Sequence, residues 1–462
     1  MKLSFYGADR AVTGSCHMVE CAGKRILIDC GLYQGGREME QENEHPFGFD
    51  AASIDLVLLT HAHLDHCGRL PLLAKRGFRG EIVSTAATAE LARLVMVDSA
   101  HLQEEDARYR AKKAKNHQRK EKPVAPLYSL IDALNSISRF GRSAAYGQPI
   151  ELAAGIRATF INAGHILGSA SIFLELAEGA HKSSVLFSGD LGQSSDPLLI
   201  GPVNPPHADA VVMETTYGDR NHKPFEPSIA EFTDAVTAAF RRGGNVVVPT
   251  FAVERAQELI FIIHQGIDGN RLPPKTQVYI DSPMAISVTE IMQRNLDMLG
   301  PEFAERVRIG HDPFQFDGLH LTRDQAASMA INNIKSGAII MAGSGMCTGG
   351  RVRHHLRQNL PRAESGIVFV GYAANGTLAR TIIDGAKEVG IFGERVPVRA
   401  QIHTINGFSA HADRQQLLAW HAQTAAGRTF LVHGEETAMK SFAQTLSKTQ
   451  VEMPELHQVY EL

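Results

Sequence analysis

The stretch "LVLLTHAHLDHCG", Leu56 to Gly68, decides how this chain is read. An apolar run breaks into His61, His63, Asp65 and His66, four metal-capable side chains within six residues. His61 and His63 are two apart in an extended segment and point the same way. Asp65 and His66 open a helical pattern, "HCGRLPLLAKRG", and need not face the first pair. A single tetrahedral ion held by all four would need an awkward local fold. Two sub-sites are the easier geometry, His61 with His63 and Asp65 with His66, each completed from elsewhere. Burying so many polar groups without a cation is costly, and exposing them needs no such crowding.

Partners are present along the chain. "INAGHILGSAS" sets His165 after a strand, among small residues that permit close backbone approach. "FSGDLG" ends a strand at Asp190, and "LVHGE" ends another at His433. Alone, a histidine after a strand is more often a hydrogen-bonded structural residue, and a Gly-Asp pair is usually a turn. The shortage of ligands in the first cluster is what recruits them. The expected arrangement is His61, His63 and His165 on one ion, Asp65, His66 and His433 on the other, and Asp190 bridging. Imidazoles with carboxylates suit two Zn²⁺ per chain, with Mn²⁺ the runner-up.

The rest of the chain agrees with a large α/β enzyme. At 462 residues it is too long for one ordinary core. Apolar residues make up 44% and charged residues 21%, as in globular proteins, and the formal charge is −4. There is no global basic coat, so nucleic acid would need a local groove. Five cysteines without a C-x-x-C pair point to a reducing cytoplasm. The chain start lacks a signal-peptide core, and no apolar run is long enough for a membrane span.

Strands ending in acids, "RILIDCG" and "SVLFSGDLG", fill the first ~200 residues, and open α/β architectures collect ligands at such carboxyl ends. Residues 99–143 read as a helical, charge-rich interruption. Its segment Arg110 to Lys122 carries seven Lys or Arg, and is either a solvated helix or a phosphate-contacting arm. From Ala208 the rhythm becomes βαβ, with "DAVVMET", "NVVVPTF", "TQVYIDSP", "GAIIMAGSG" and "GIVFVGY" each alternating with helical patterns. That implies a parallel sheet covered by helices. The tail returns to short strands ending in histidines, "GFSAHAD" and "FLVHGEE". One α/β domain, split by an inserted α/β domain and completed by the tail, is the simplest architecture.

These motifs resemble a known family. "THAHLDHCG", Asp29 in "LIDCG", His165 in "GHILGSA" and Asp190 in "SGDLG" look like the four motifs of the metallo-β-lactamase fold. Glu214 in "METTYG", His411 in "GFSAHAD" and His433 in "LVHGE" resemble motifs A, B and C of the β-CASP nucleases, and "GSGMCTGGR" and "GTLAR" resemble β-CASP sequence too. The match spans nearly the whole chain and is most like bacterial and archaeal relatives of the endonuclease subunit of the cleavage and polyadenylation specificity factor. The resemblance implies an α/β fold: a metallo-β-lactamase αββα sandwich with an inserted Rossmann-like parallel α/β (β-CASP) domain. The expected bounds are 1–218 and 396–462 for the sandwich and 219–395 for the insertion.

The implied activity is two-metal hydrolysis of single-stranded RNA. Asp29 would orient a ligand histidine or the bridging water. His411, held as imidazolium by Glu214, would protonate the leaving oxygen. Ser344, Gly345, Thr348, Gly349 and Arg351 of the Gly-rich loop, with Gly376, Thr377 and Arg380, would contact the RNA backbone. Tyr217, Phe251 and Tyr372 would stack bases or simply pack.

Rivals within the fold are a 5′-3′ exoribonuclease, a DNA nuclease and a small-molecule ester or lactone hydrolase. The insertion argues against the last. DNA-repair relatives of the Artemis type usually lack a histidine at motif C, so His433 favours RNA. Diiron relatives carry an acid where His63 stands. RNase J relatives usually carry a further C-terminal domain, and the chain ending soon after "LVHGE" favours internal cleavage. A homodimer is expected without a specific feature to carry it.

Overall fold

The computed structural model describes residues 1–116, 125–371 and 373–462. The basic side chains of Arg110 to Lys122, and Tyr372, lie outside the described residues.

Two seven-stranded sheets face each other. The first runs, in spatial order, Val459–Glu461, Lys2–Phe5, His17–Cys21, Lys24–Ile28, Leu56–Leu58, Glu81–Thr85 and Phe140–Ala144. The second runs Gln450–Glu452, Arg428–Val432, Ala210–Glu214, His181–Phe187, Ala170–Glu178, Ile156–Asn162 and Pro149–Ala153. Alternation along the strands builds the layers. Phe5, Ile26, Ile28 and Leu58 of the first sheet share a buried cluster with Phe160, Ile172, Val185, Val212 and Phe430 of the second. Leu27 and Val57, one residue out of phase, pack outward among helical residues such as Leu70, Leu73 and Leu91. Leu186, Val211 and Leu431 do the same on the other side with Leu417, Trp420 and Phe442. This is an αββα sandwich.

A third sheet orders Leu319–Leu321, Gln277–Ile280, Ala338–Ala342, Val246–Pro249, Gly366–Phe369 and Gln401–Thr404, and every pairing in it is parallel. Its central strands are buried on both faces, as a helix-covered parallel sheet requires. Its last strand lies a few residues beyond the expected boundary at 396. The helix Pro283–Arg294 of this unit meets the long helix Ala86–Asn116 of the sandwich, and Arg294 pairs with Glu90.

Two local expectations are corrected. The helical stretch begins at Ala86 rather than near 99. Within the supposed interruption, Phe140–Ala144 is a strand at the edge of the first sheet, exposed along most of its length and therefore without an apolar alternation to reveal it.

Strand direction positions the site. Lys24–Ile28 and Leu56–Leu58 run parallel, as do His181–Phe187, Ala210–Glu214 and Arg428–Val432. Ile156–Asn162 reaches the same sense through two antiparallel pairings. The segments leaving these strands carry Asp29, His61, Asp190, Glu214, His433 and His165 to one rim of the sandwich.

Phe430 is fully buried between Phe5 and Tyr460, with ring centroids 5.4 and 4.9 Å away. Phe430→Ala should cost about 3–5 kcal/mol of unfolding free energy in urea denaturation; a loss below about 1 kcal/mol would contradict this account of the core.

Candidate metal centre

At that rim the chain leaves its strands in strained turns. Asp29 and His433 both adopt left-handed backbone conformations, φ 63° and 49°, of the kind that clusters at functional sites. Close approach also demands glycine: a Cβ on Gly31 would stand 1.6 Å from the carbonyl oxygen of Asp65. His63 precedes the short helix Leu64–Cys67, which carries Asp65 and His66.

Two groups of donor atoms converge. In the first, His63 Nδ1 lies 3.1 Å from His61 Nε2 and 3.1 Å from His165 Nε2. Asp190 Oδ2 stands 3.4 Å from His61 Nε2 and 3.5 Å from His165 Nε2. In the second, His66 Nε2 and His433 Nε2 are 3.3 Å apart, and Asp65 Oδ2 is 3.5 Å from His433 Nε2. Asp190 Oδ1 is 3.3 Å from His66 Nε2. One carboxylate thus faces both groups.

The outer partners fix how the rings are turned. Thr60 Oγ1 donates to Asp29 Oδ2 at 2.7 Å and accepts from His61 Nδ1 at 3.0 Å. That leaves the His61 Nε2 lone pair facing inward. His66 Nδ1 donates to the same Asp29 Oδ2 at 2.7 Å, and the Thr60 backbone N–H donates to Asp29 Oδ1. His165 Nδ1 donates to the carbonyl of Ala410, 3.2 Å away. Thr216 Oγ1 donates to the His433 carbonyl and accepts from His433 Nδ1, both at 3.1 Å. Thr60, Thr216 and Ala410 went unremarked in the sequence. Thr60 had a signal, since it directly precedes His61 at a strand end; the other two depend on segments brought in from far along the chain.

This arrangement fits divalent cations. Burial lowers His61 to about 3 and His63 to about 4, and pushes His165 well below its ordinary value, so these imidazoles are neutral at pH 7. With their Nδ1 protons given to Thr60 and Ala410, His61 and His165 both turn Nε2 lone pairs toward His63 Nδ1, which has at most one proton to share between them, whereas a cation would satisfy all three. Burial alone would raise the Asp190 carboxyl, but His433, His66 and His61 hold it well below its usual range. Its Oδ1 is buried without a hydrogen-bond partner. His66 would be lowered by burial, yet Asp190 and Asp29 raise it well above the normal value; a cation at Nε2 would take the place of that proton.

A third group, Asp190, Glu214 and His411, adjoins the first. Glu214 Oε1 accepts from Leu191 N–H at 2.7 Å and lies 3.2 Å from His411 Nδ1, while Oε2 accepts from Thr216 N–H. Glu214 is therefore already engaged by donors. His411 Nε2 points toward Asp190 Oδ2 at 4.0 Å. Burial lowers the His411 imidazole, but Glu214 and Asp190 outweigh it and bring it to about 9. Its side chain is 19% exposed, against 1% for Glu214, so the proton-bearing ring is the member of the pair open to solvent.

The Gly-rich loop is more self-contained. Thr348 and Gly349 N–H both donate to Ser344 Oγ, at 3.1 and 3.4 Å. Arg351 turns inward: its guanidinium donates to Asp281 Oδ1 at 2.7 Å and to the carbonyls of Thr322 and Arg323. Gly345 packs so tightly on Phe251 that a Cβ would come within 2.7 Å of its ring. Thr377 caps the helix Leu378–Ile383, and Arg380 Nε is 3.0 Å from Asp384. Gly376 abuts Gly36 of the sandwich. Tyr217 is buried against His222, with ring centroids 4.4 Å apart.

Comparison with known proteins agrees with this architecture. Residues 9–250 match the metallo-beta-lactamase superfamily, 256–382 the Beta-Casp domain, and 395–454 the Zn-dependent metallo-hydrolase RNA specificity domain. The chain belongs to the β-CASP branch of the metallo-β-lactamase superfamily. Like other members of that branch it is a metal-dependent hydrolase. It is 38% identical to Ribonuclease TTHA0252 of Thermus thermophilus, over 97% of this chain and 96% of that one. It is 32% identical to Transcription termination factor FttA of Methanothermobacter thermautotrophicus, over 97% of this chain and 69% of the factor. The fold is shared with a crystal structure of a protein of unknown function from Enterococcus faecalis, at 11% identity and a TM-score of 0.53, covering 100% of this chain and 99% of that one.

Thr60→Val removes the hydroxyl that links Asp29 to His61. It should weaken metal affinity about 10–100-fold in competition against a chromophoric chelator; unchanged affinity would remove Thr60 from the site's support.

Proposed function

We propose that this β-CASP nuclease is a zinc-dependent endoribonuclease acting on single-stranded RNA. The observation that carries the reading is a single buried carboxylate, Asp190, flanked by two groups of donors, with the His411–Glu214 pair beside it. His61, His63 and His165 would hold one ion, Asp65, His66 and His433 the other, and Asp190 both. The donor set supports zinc: each group joins imidazoles to a carboxylate, with its donor atoms within 4.8 Å of one another. The similarity to a protein named ribonuclease supports RNA as substrate.

The chemistry supplied by such a bound pair is activation of water and neutralisation of charge on the phosphoryl group. The chain does the rest. Asp29 and Thr60 keep His66 and His61 in the orientation that presents Nε2. Glu214 accepts from His411 Nδ1, and its negative charge keeps the ring protonated. The Nε2 proton of His411 passes to the oxygen that leaves phosphorus, so departure occurs as a neutral hydroxyl. The Gly-rich loop at Ser344 and Gly345, and the turn at Gly376, line the approach of the strand. Phe251 offers an aromatic edge beside them, 37% exposed.

No helix among the described residues is long and apolar enough to cross a membrane. The five cysteines are free, buried thiols, which supports a reducing, cytoplasmic setting.

His411→Ala should lower kcat about 10²–10⁴-fold with both metals retained by elemental analysis; loss of a metal, or an unchanged rate, would contradict the proton-donor role. Single-stranded RNA labelled at one end or the other should give intermediate-length products from both labels. Release of mononucleotides from the 5′ label alone would instead make the enzyme a 5′-3′ exonuclease, and cleavage of DNA but not RNA would overturn the substrate.

A further inference from the structure

The strands Glu388–Ile391 and Glu394–Pro397 form a hairpin that turns through Phe392 and Gly393, both with positive φ, 54° and 83°. Turns of this kind favour Asn-Gly, and a bulky aromatic in the left-handed region is a genuine outlier. Burial does not offset that conformation, because Phe392 is 44% exposed.

Its neighbours are cationic or flat. The Arg353 guanidinium lies over the Phe392 ring, 4.8 Å from the centroid, and the His354 ring centroid is 4.4 Å away. Both come from the helix Val352–Asn359, which begins where the Gly-rich loop ends. Arg353 forms no ion pair among the described residues, and its Nε is buried without a hydrogen-bond partner. Adjacent cations are matched, Arg357 to Glu394 at 3.7 Å and Arg395 to Glu388 at 3.0 Å. Partial burial, together with His355, Arg357 and Arg353, lowers the His354 imidazole and leaves it a neutral ring.

The patch is tied to the metal centre through packed structure. Glu435, two residues past His433, accepts from Asn375 Nδ2 at 3.5 Å. Ala379 N–H donates to Met346 of the Gly-rich loop at 3.2 Å. Cys347 of that loop, Val352 and Ile391 share one core cluster.

We propose that Phe392, Arg353 and His354 form a stacking platform for a base of single-stranded RNA that has left the cleft, with Arg353 taking the adjacent phosphate. The inference rests on the ribonuclease reading and extends it to an outlying subsite. An exposed ring with an unmatched guanidinium suits a base and its phosphate, since every base offers a face to stack and the strand supplies the missing anion. A lone ring under one unmatched guanidinium is a poor match for an apolar protein surface.

Fluorescence anisotropy with a length series of single-stranded RNA tests this, in full-length protein carrying His411→Ala so that the RNA persists. Affinity should rise with length until the strand reaches Phe392 and then level off. Phe392→Asn suits the left-handed turn; it should lower that plateau about tenfold while leaving the short RNAs as tightly bound as before. Phe392→Trp should restore the plateau. Arg353→Ala should reduce the slope of log affinity against log salt by about 0.7 for long RNA. An unchanged plateau with Phe392→Asn overturns the inference, and so does an equal loss at every length. A change of oligomeric state in sedimentation with RNA affinity intact would assign the patch to protein contact and overturn it too. If the parent protein neither binds nor cuts RNA of any length, the ribonuclease reading falls first and the platform with it.

Discussion

Everything at the rim depends on a buried carboxylate that faces two sets of imidazoles. Asp190 is 2% exposed, and burial of an unpaired carboxylate is expensive: removing one partner from a buried pair typically costs about 3–5 kcal/mol. Here the compensating charge must reach both oxygens at once. His61 and His165 stand on the Oδ2 side, His66 on the Oδ1 side, and His433 within 3.5 Å of Oδ1. The histidines themselves are pushed toward neutrality by burial on one side and toward protonation by Asp29 and Asp190 on the other. Two cations resolve both demands, because they match the carboxylate and let every imidazole be neutral.

The fold exists to deliver those groups to one place. Metal-capable groups from residues 61 to 433 meet because the strands before them run in the same direction, so their carboxyl ends share a rim. The inserted parallel sheet meets the sandwich near that rim, where Gly376 abuts Gly36 and Asn375 donates to Glu435. The C-terminal return contributes in two ways. It brings His411 and His433, and through the Ala410 carbonyl it also turns His165 inward. Loss of the tail would thus disturb a ligand more than two hundred residues away in sequence.

Much of this was legible in the chain. The metal-capable residues were legible because the crowded His61 to His66 cluster is short of ligands by itself, which drew in His165, Asp190 and His433, and the βαβ rhythm from Ala208 marked the parallel insertion. What escaped detection depends on long-range register. Nothing local distinguishes Thr216 from other threonines until His433 arrives beside it. Arg351 looked like a phosphate contact because it follows a Gly-rich loop; only the fold shows Asp281, 0% exposed at its side chain, waiting at the end of Gln277–Ile280. Phe140–Ala144 was hidden because an exposed edge strand needs no apolar alternation.

The most direct test is anomalous diffraction at the zinc edge from crystals of the purified, active protein. Two peaks should flank the Asp190 carboxylate, one among His61, His63 and His165 and the other among Asp65, His66 and His433. A single peak, or active protein with metal lying away from Asp190, would contradict the account.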